Sequence, residues 1–119
     1  MADAHDLAPD ERRELLRIAR ATLREFADSG RIPPGKPHRA SLVAPAIVTV
    51  ALTEGGREVA RATTPEARPL YRGIQEQLVA AAKAAGGPID DDRLDELVIA
   101  IEIATAGAPV HFAESPRAT

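Results

Sequence analysis

Five residues in the stretch "TEGGREVARATTPEARPLYRGI", residues 53–74, could do chemistry together. Arg61 offers a guanidinium fork that can hold a carboxylate or phosphate. Thr63 and Thr64 add hydroxyls beside an expected helix N-terminus, where an anion is favoured. Arg57 and Glu58 complete the charged run. The competing reading is a solvated edge strand followed by a helix cap. A second candidate is Glu102, the one charged residue in "LVIAIEIAT". If Val98, Ala100 and Ala104 line a groove, Glu102 is its polar group and a candidate general base. The alternative is a strand face open to water. A third pattern is Arg13, Arg17, Arg20 and Arg24, one stripe of a helix opposite Leu15, Thr22 and Phe26. It could meet an acidic partner or RNA. Glu14, Glu25 and Asp28 flank it at pairing distance, which favours an ion-paired solvent face.

Other chemistries lack their residues. The chain has no cysteine, so disulfides and thiolate chemistry are excluded. His5, His38 and His111 are scattered, none with a second histidine at ligand spacing, and no metal site is expected. Asp90, Asp91 and Asp92 lack the calcium-loop spacing and its glycine. There is no phosphate-binding glycine loop, dinucleotide fingerprint or serine elbow, so no cofactor is expected. A net charge of −3 argues against broad binding to nucleic acid. No apolar run reaches membrane-spanning length, and the N-terminus is too polar for a secretion signal, so the expected location is cytoplasmic.

The elements that must position these residues follow from periodicity. "PDERRELLRIARATLREFADSG" reads as a helix. Pro9, Asp10 and Glu11 suit its start, Ser29-Gly30 its end, and Leu15, Ile18, Ala19, Thr22, Leu23 and Phe26 share a face. Residues 31–45, with four prolines, read as a connecting loop. "AIVTVAL" is a β-branched strand, Glu54-Gly55-Gly56 a hairpin turn, and "REVARAT" the returning edge strand. A second helix starts either at Thr64-Pro65 or at Pro69 and ends at Gly86-Gly87. "DDDRLDEL" is a short helical turn capped by Asp90. In "LVIAIEIAT", Leu97, Ile99, Ile101 and Ile103 point one way and Val98, Ala100, Glu102 and Ala104 the other.

The expected architecture is a single α+β domain over residues 1–119, in the order helix, strand, strand, helix, strand. A small, mainly antiparallel sheet of about three strands carries two helices on one face. The ends, about 1–8 and 108–119, are expected to fray. Only Phe26, Tyr71 and Phe112 are aromatic. So thin a core in so small a chain makes a homo-oligomer or a partner protein an expected companion.

Taken in order, these pieces resemble the AMMECR1 domain family over residues 11–110. "ERRELLRIARATLREF" looks like that family's first helix and "IVTVALTEGGR" like its strand and glycine turn. "TPEARPL" resembles the segment after its signature, and "DDDRLDELVIAIEIATAGAPV" its Leu-Asp-Glu-Leu strand and proline-containing exit. The family's Leu-Arg-Gly-Cys-Ile-Gly signature is replaced by "REVARAT", with Ala60 near the cysteine's place. Any chemistry of that cysteine is therefore absent. The family domain also continues beyond this exit, so the resemblance implies a shortened, divergent form. The expectation is a non-catalytic accessory module acting through a sheet edge or face by protein–protein contacts or self-association. The alternative is a small enzyme or small-molecule-binding protein with an anionic-ligand pocket between sheet and helices. In that reading Arg61 holds the anion and Glu102 moves a proton.

Overall fold

The computed structural model describes residues 7–34, 40–105 and 107–114. Helix α1 spans Pro9–Ser29. Pro9 supplies its first φ, and Glu11 Oε1 accepts a hydrogen bond from the Ala8 N–H at 2.9 Å. It ends at Gly30, whose φ of 75° lets its N–H return to Phe26 O at 2.8 Å. A 3₁₀ turn at Ala40–Val43 leads into β1, Pro45–Ala46. Strands β2, Val48–Glu54, and β3, Arg57–Thr63, form a hairpin. Gly55 and Gly56 have φ of 61° and 81°, the two positive values that a tight primed turn requires. Strand β4, Arg68–Pro69, pairs with β1. It delivers the chain into α2, Leu70–Ala85. Helix α3, Asp91–Glu96, is capped by Asp90, whose carboxylate accepts from Arg93 N at 2.8 Å. It runs directly into β5, Leu97–Ile103, and β6, Val110–Ala113, follows.

The main sheet has the order β3-β2-β5-β6, antiparallel throughout. The class is α+β, and the second helix starts at the later of the two expected positions, after Pro69. Beyond the expected three strands there is a fourth. Within the stretch expected to fray, Val110–Ala113 instead form β6, and residues 115–119 lie outside the described residues. Three contacts hold it. Its backbone pairs with β5 from Ala100↔Ala113 to Ile103↔Val110. Phe112 lies under the Arg12 guanidinium, 6.0 Å from carbon to ring centroid. Glu114 O–C–O atoms receive Arg20 Nε at 2.9 Å and Ile99 N at 3.0 Å.

The core lies between the sheet and the helices. Val48, Val50, Leu52, Leu97, Ile99, Ile101 and Ile103 are buried. They meet Leu15, Ala19 and Leu23 of α1 and Leu70, Ile74, Leu78 and Ala81 of α2. Each large aliphatic side chain buried this way contributes about 1.5–3 kcal/mol of transfer free energy. At Gly73 the helix comes close to the sheet: a Cβ there would sit 3.3 Å from Thr64 Cγ2 and from Val48 Cγ2. Gln75 is buried among these apolar side chains, as are Glu14, Thr22 and Thr64. Gln75 donates to Thr22 Oγ1 at 3.1 Å and to Pro33 O at 2.9 Å, tying α2 to α1 and to the segment after it. The opposite face of the sheet, carrying Thr49, Thr53, Val98, Ala100 and Glu102, remains half-exposed.

Candidate functional site on the open sheet face

The open face is built as cross-strand rows. Pairing sets Arg61, Ala51, Ala100 and Ala113 side by side across all four strands. The neighbouring row is Thr63, Thr49, Glu102 and His111. On the other side, Thr53 pairs with Glu58 and with Val98. The result is an alanine floor between two charged walls: β3 supplies Arg61 and Glu58, and β5 with β6 supplies Glu102 and His111.

A bulge makes the β3 wall possible. Residues 58 and 61 are three apart, and a regular strand would send them to opposite faces. Here Leu52 pairs with Ala60 but Thr53 pairs with Glu58, leaving Val59 as the extra residue. Glu58 is thereby returned to the same face as Arg61. Its carboxylate accepts Arg61 Nε at 3.1 Å and Arg61 Nη2 at 2.7 Å. The hydrogen bond from Arg61 holds the Glu58 carboxyl below the ordinary carboxylate range. The Arg61 guanidinium is raised by the same bond, and to a lesser degree by the Glu102 charge. The pair is solvent-exposed, with Arg61 at 54% and Glu58 at 45%, so its worth to stability is small.

Two depressions that share Ala51, Arg61, Ala100 and His111 lie over the floor. One, of about 20 Å³, sits among Arg61, Glu102, Thr49 and His111 above Ala51 and Ala100. The other, of about 440 Å³, is floored by Ala51, Val98, Ala100 and Ala113 and walled by Arg61, Glu58, His111 and Glu114. Arg61 and Glu102 therefore line one depression. It lies on the far side of the sheet from the helices and not between sheet and helices, because aliphatic side chains fill that interior.

The other expected site residues separate. Thr63 stays on the open face, its hydroxyl 2.8 Å from that of Thr49. Thr64 turns inward and is 3% exposed. Its Oγ1 accepts from Val48 N at 3.0 Å, and its own N–H donates to Val48 O at 2.9 Å. With the extended Arg68–Pro69 between them, neither threonine caps α2. The arginine stripe also divides. Arg13, Arg17 and Arg24 are exposed. Arg20 is a correction: its side chain is only 16% exposed. It donates to Leu94 O at 2.9 Å, to Leu97 O at 2.7 Å and to Glu114, pinning α1 to the α3–β5 junction and to the end of β6. Three converging acceptors outweigh solvation here.

His111, set aside in the sequence as a scattered histidine, joins the site, and Glu58, part of the charged run, reaches it only through the bulge. The alternation of Val110, His111, Phe112 and Ala113 is the signal for His111, four residues long. Glu58 needs the bulge, which no periodicity announces. His5 and His38 lie outside the described residues. Among the described residues no group of three or more histidine, aspartate and glutamate side chains is placed to hold a metal. A further cleft of about 280 Å³ between the C-terminal ends of α1 and α2 has Lys83 as its one charged side chain. Among the described residues, no helix is long and apolar enough to cross a membrane.

No protein-family model and no curated protein matches the chain. The fold itself has solved counterparts. One is an uncharacterized protein, PH0010, from Pyrococcus horikoshii, superposing with a TM-score of 0.66 at 21% identity. The match covers 76% of this chain and 49% of that one, so this chain spans about half the length of its structural relative. At this identity the likeness shows a shared fold and carries no function.

Proposed function

We propose that this chain is a non-catalytic binding module whose working surface is the open face of its sheet. One observation carries the reading: four strands present an alanine floor between two walls of charged and polar side chains, and the helices pack on the other side. The edges are poorer candidates. The β3 edge is bulged and carries Arg57, Glu58 and Arg61, which resist pairing with another strand. The β6 edge is four residues long. Partners are a second copy of the chain or another protein. The resemblance of residues 11–110 to the AMMECR1 domain family supports an accessory role, with a cytoplasmic location as part of the same proposal. Exposed Arg13, Arg17 and Arg24 are a second, weaker contact surface.

Site-specific photo-crosslinking tests this. A crosslinker in place of Thr53, on the open face, is expected to trap a partner or a second copy. The same group in place of Arg17, on the helix side, is expected to trap far less. A particle that stays monomeric by light scattering across a dilution series, with no crosslink from Thr53, would remove the reading.

A second reading rests on the shared depression of Arg61 and Glu102: a small-molecule site. Exchange of a proton by Glu102 would need a bound substrate positioned by Arg61. The depression lacks a cysteine or serine nucleophile, which favours binding over catalysis.

A further inference from the structure

We infer that the open face holds a small zwitterion with an apolar body, of the class of an α-amino acid with an apolar side group. The inference rests on the open face being the working surface, and it names what fits the depression there.

The first argument is the state of Arg61. Glu58 occupies one edge of the guanidinium, Nε and Nη2. The pair fixes the plane of the fork, while Nη1 has no hydrogen-bond partner among the described residues. An arginine held this way presents its remaining edge to a second carboxylate. The second argument is Glu102. It has neither a hydrogen bond nor a salt bridge among the described residues, yet it faces Arg61 across the depression of about 20 Å³. That space suits a single ammonium group or water. An acceptor without a donor and a donor edge without an acceptor thus flank one small gap.

Net charge then selects the ligand class. Arg61 is already neutralised by Glu58, Glu114 on the wall of the larger depression is neutralised by Arg20, and Glu102 adds a negative charge nearby. A plain anion gains a contact at Arg61 but is repelled by Glu102; a plain cation has the reverse difficulty. A zwitterion satisfies both. The larger depression continues from this gap over Ala51, Val98, Ala100 and Ala113. Its volume of about 440 Å³ lies in the range of small-molecule pockets. Its floor offers methyl groups to an apolar side group, and His111 stands on the opposite wall.

The test uses amide NMR on the full chain, titrated separately with L-phenylalanine, 3-phenylpropionate and phenethylamine. L-Phenylalanine is expected to give saturable shifts centred on Ala51, Arg61, Ala100 and Glu102. Each half-ligand, carrying one of the two charges, is expected to bind about tenfold weaker, the worth of one charge-assisted contact. Arg61→Met and Glu102→Gln are each expected to weaken L-phenylalanine by a similar factor. Both sites are on the surface, and dispersed spectra will show that the variants fold. Phenylpropionate binding as tightly as L-phenylalanine would overturn the zwitterion. So would the absence of saturable shifts up to the solubility limit of the probe. If Thr53 crosslinks a protein but no probe binds, this inference falls and the binding-face reading stands. If the shifts centre on the helix side instead, both fall.

Discussion

The two faces of β5 are one residue apart in sequence and opposite in physical character. Leu97, Ile99, Ile101 and Ile103 point into the helices and are fully or almost fully buried. Val98, Ala100 and Glu102 point away and stay half-exposed. The inner face carries packing, where each methylene is in contact and volume is costly to change. The outer face carries unpaired hydrogen-bonding capacity, where charges can be arranged without leaving any of them buried and unpaired. A strand used in this way separates stability from recognition, and changes on one face need not be felt on the other.

The sharpest way to break that comparison is to substitute one residue on each face. Ile101→Ala removes a fully buried side chain and is expected to cost about 2–5 kcal/mol. Ala100→Ser, its neighbour on the outer face, is expected to change stability by less than about 0.5 kcal/mol. Urea denaturation monitored by circular dichroism reads both. Equal losses would mean that the outer face is also packed, by a partner or a second copy, under the conditions used.

A second comparison lies within the arginine stripe. Arg20→Ala removes hydrogen bonds to two carbonyls and a carboxylate, and the expected loss is about 2–3 kcal/mol. Arg17→Ala, on the exposed side of the same helix, is expected to cost less than about 0.5 kcal/mol. Hydrogen exchange adds a local reading. In Arg20→Ala the amides of β6 should lose protection before those of β2, because Glu114 loses its cation and β6 is the edge strand.

These two cases mark what periodicity can and cannot convey. The alternation of Leu97 to Ala104 announces both faces of β5, because burial on one side imposes a period of two on the residues themselves. Gly55-Gly56, Gly30 and Asp90 are equally plain, since each acts within a few residues of its own position. Arg20 is different. Its partner Glu114 is 94 residues away, and a stripe drawn on an isolated helix cannot show that one of its arginines bends toward a distant strand. Strand β6 is short and follows Pro109, so its four alternating residues carry little signal. The site was half legible. Arg61, Glu102 and Thr63 share the open face, but Thr64 faces the core because a one-residue step along a strand reverses the side-chain direction. Glu58 reaches Arg61 through a register shift that residue types alone do not disclose.

The junction that starts β5 gives an intermediate effect. Asp90→Ala removes the carboxylate that caps α3, at an expected cost of about 1 kcal/mol, while Asp90→Asn should retain most of the stability. Thermal denaturation of the two variants side by side checks this. Because α3 leads into β5 without a loop, its loss should affect both faces of the strand alike, which neither Ile101→Ala nor Ala100→Ser can do.

The smallest effect belongs wholly to the outer face. Arg61 holds the Glu58 carboxyl below its ordinary range in the folded protein. A carboxyl with a depressed folded-state pKa contributes stability above its unfolded value, about 4.3 for glutamate. That contribution is lost as pH falls through the depressed folded value. The pair should therefore help slightly at neutral pH and not at all in strong acid. Carboxyl-carbon NMR titration of Glu58 should show the depressed midpoint in the native chain and a return toward the ordinary value in Arg61→Met. High salt should shrink the difference, because both groups are exposed. A midpoint that stays depressed in Arg61→Met would mean that another donor reaches Glu58 in solution. The free edge of Arg61, on which recognition at the open face depends, would then no longer be held in place by this pair.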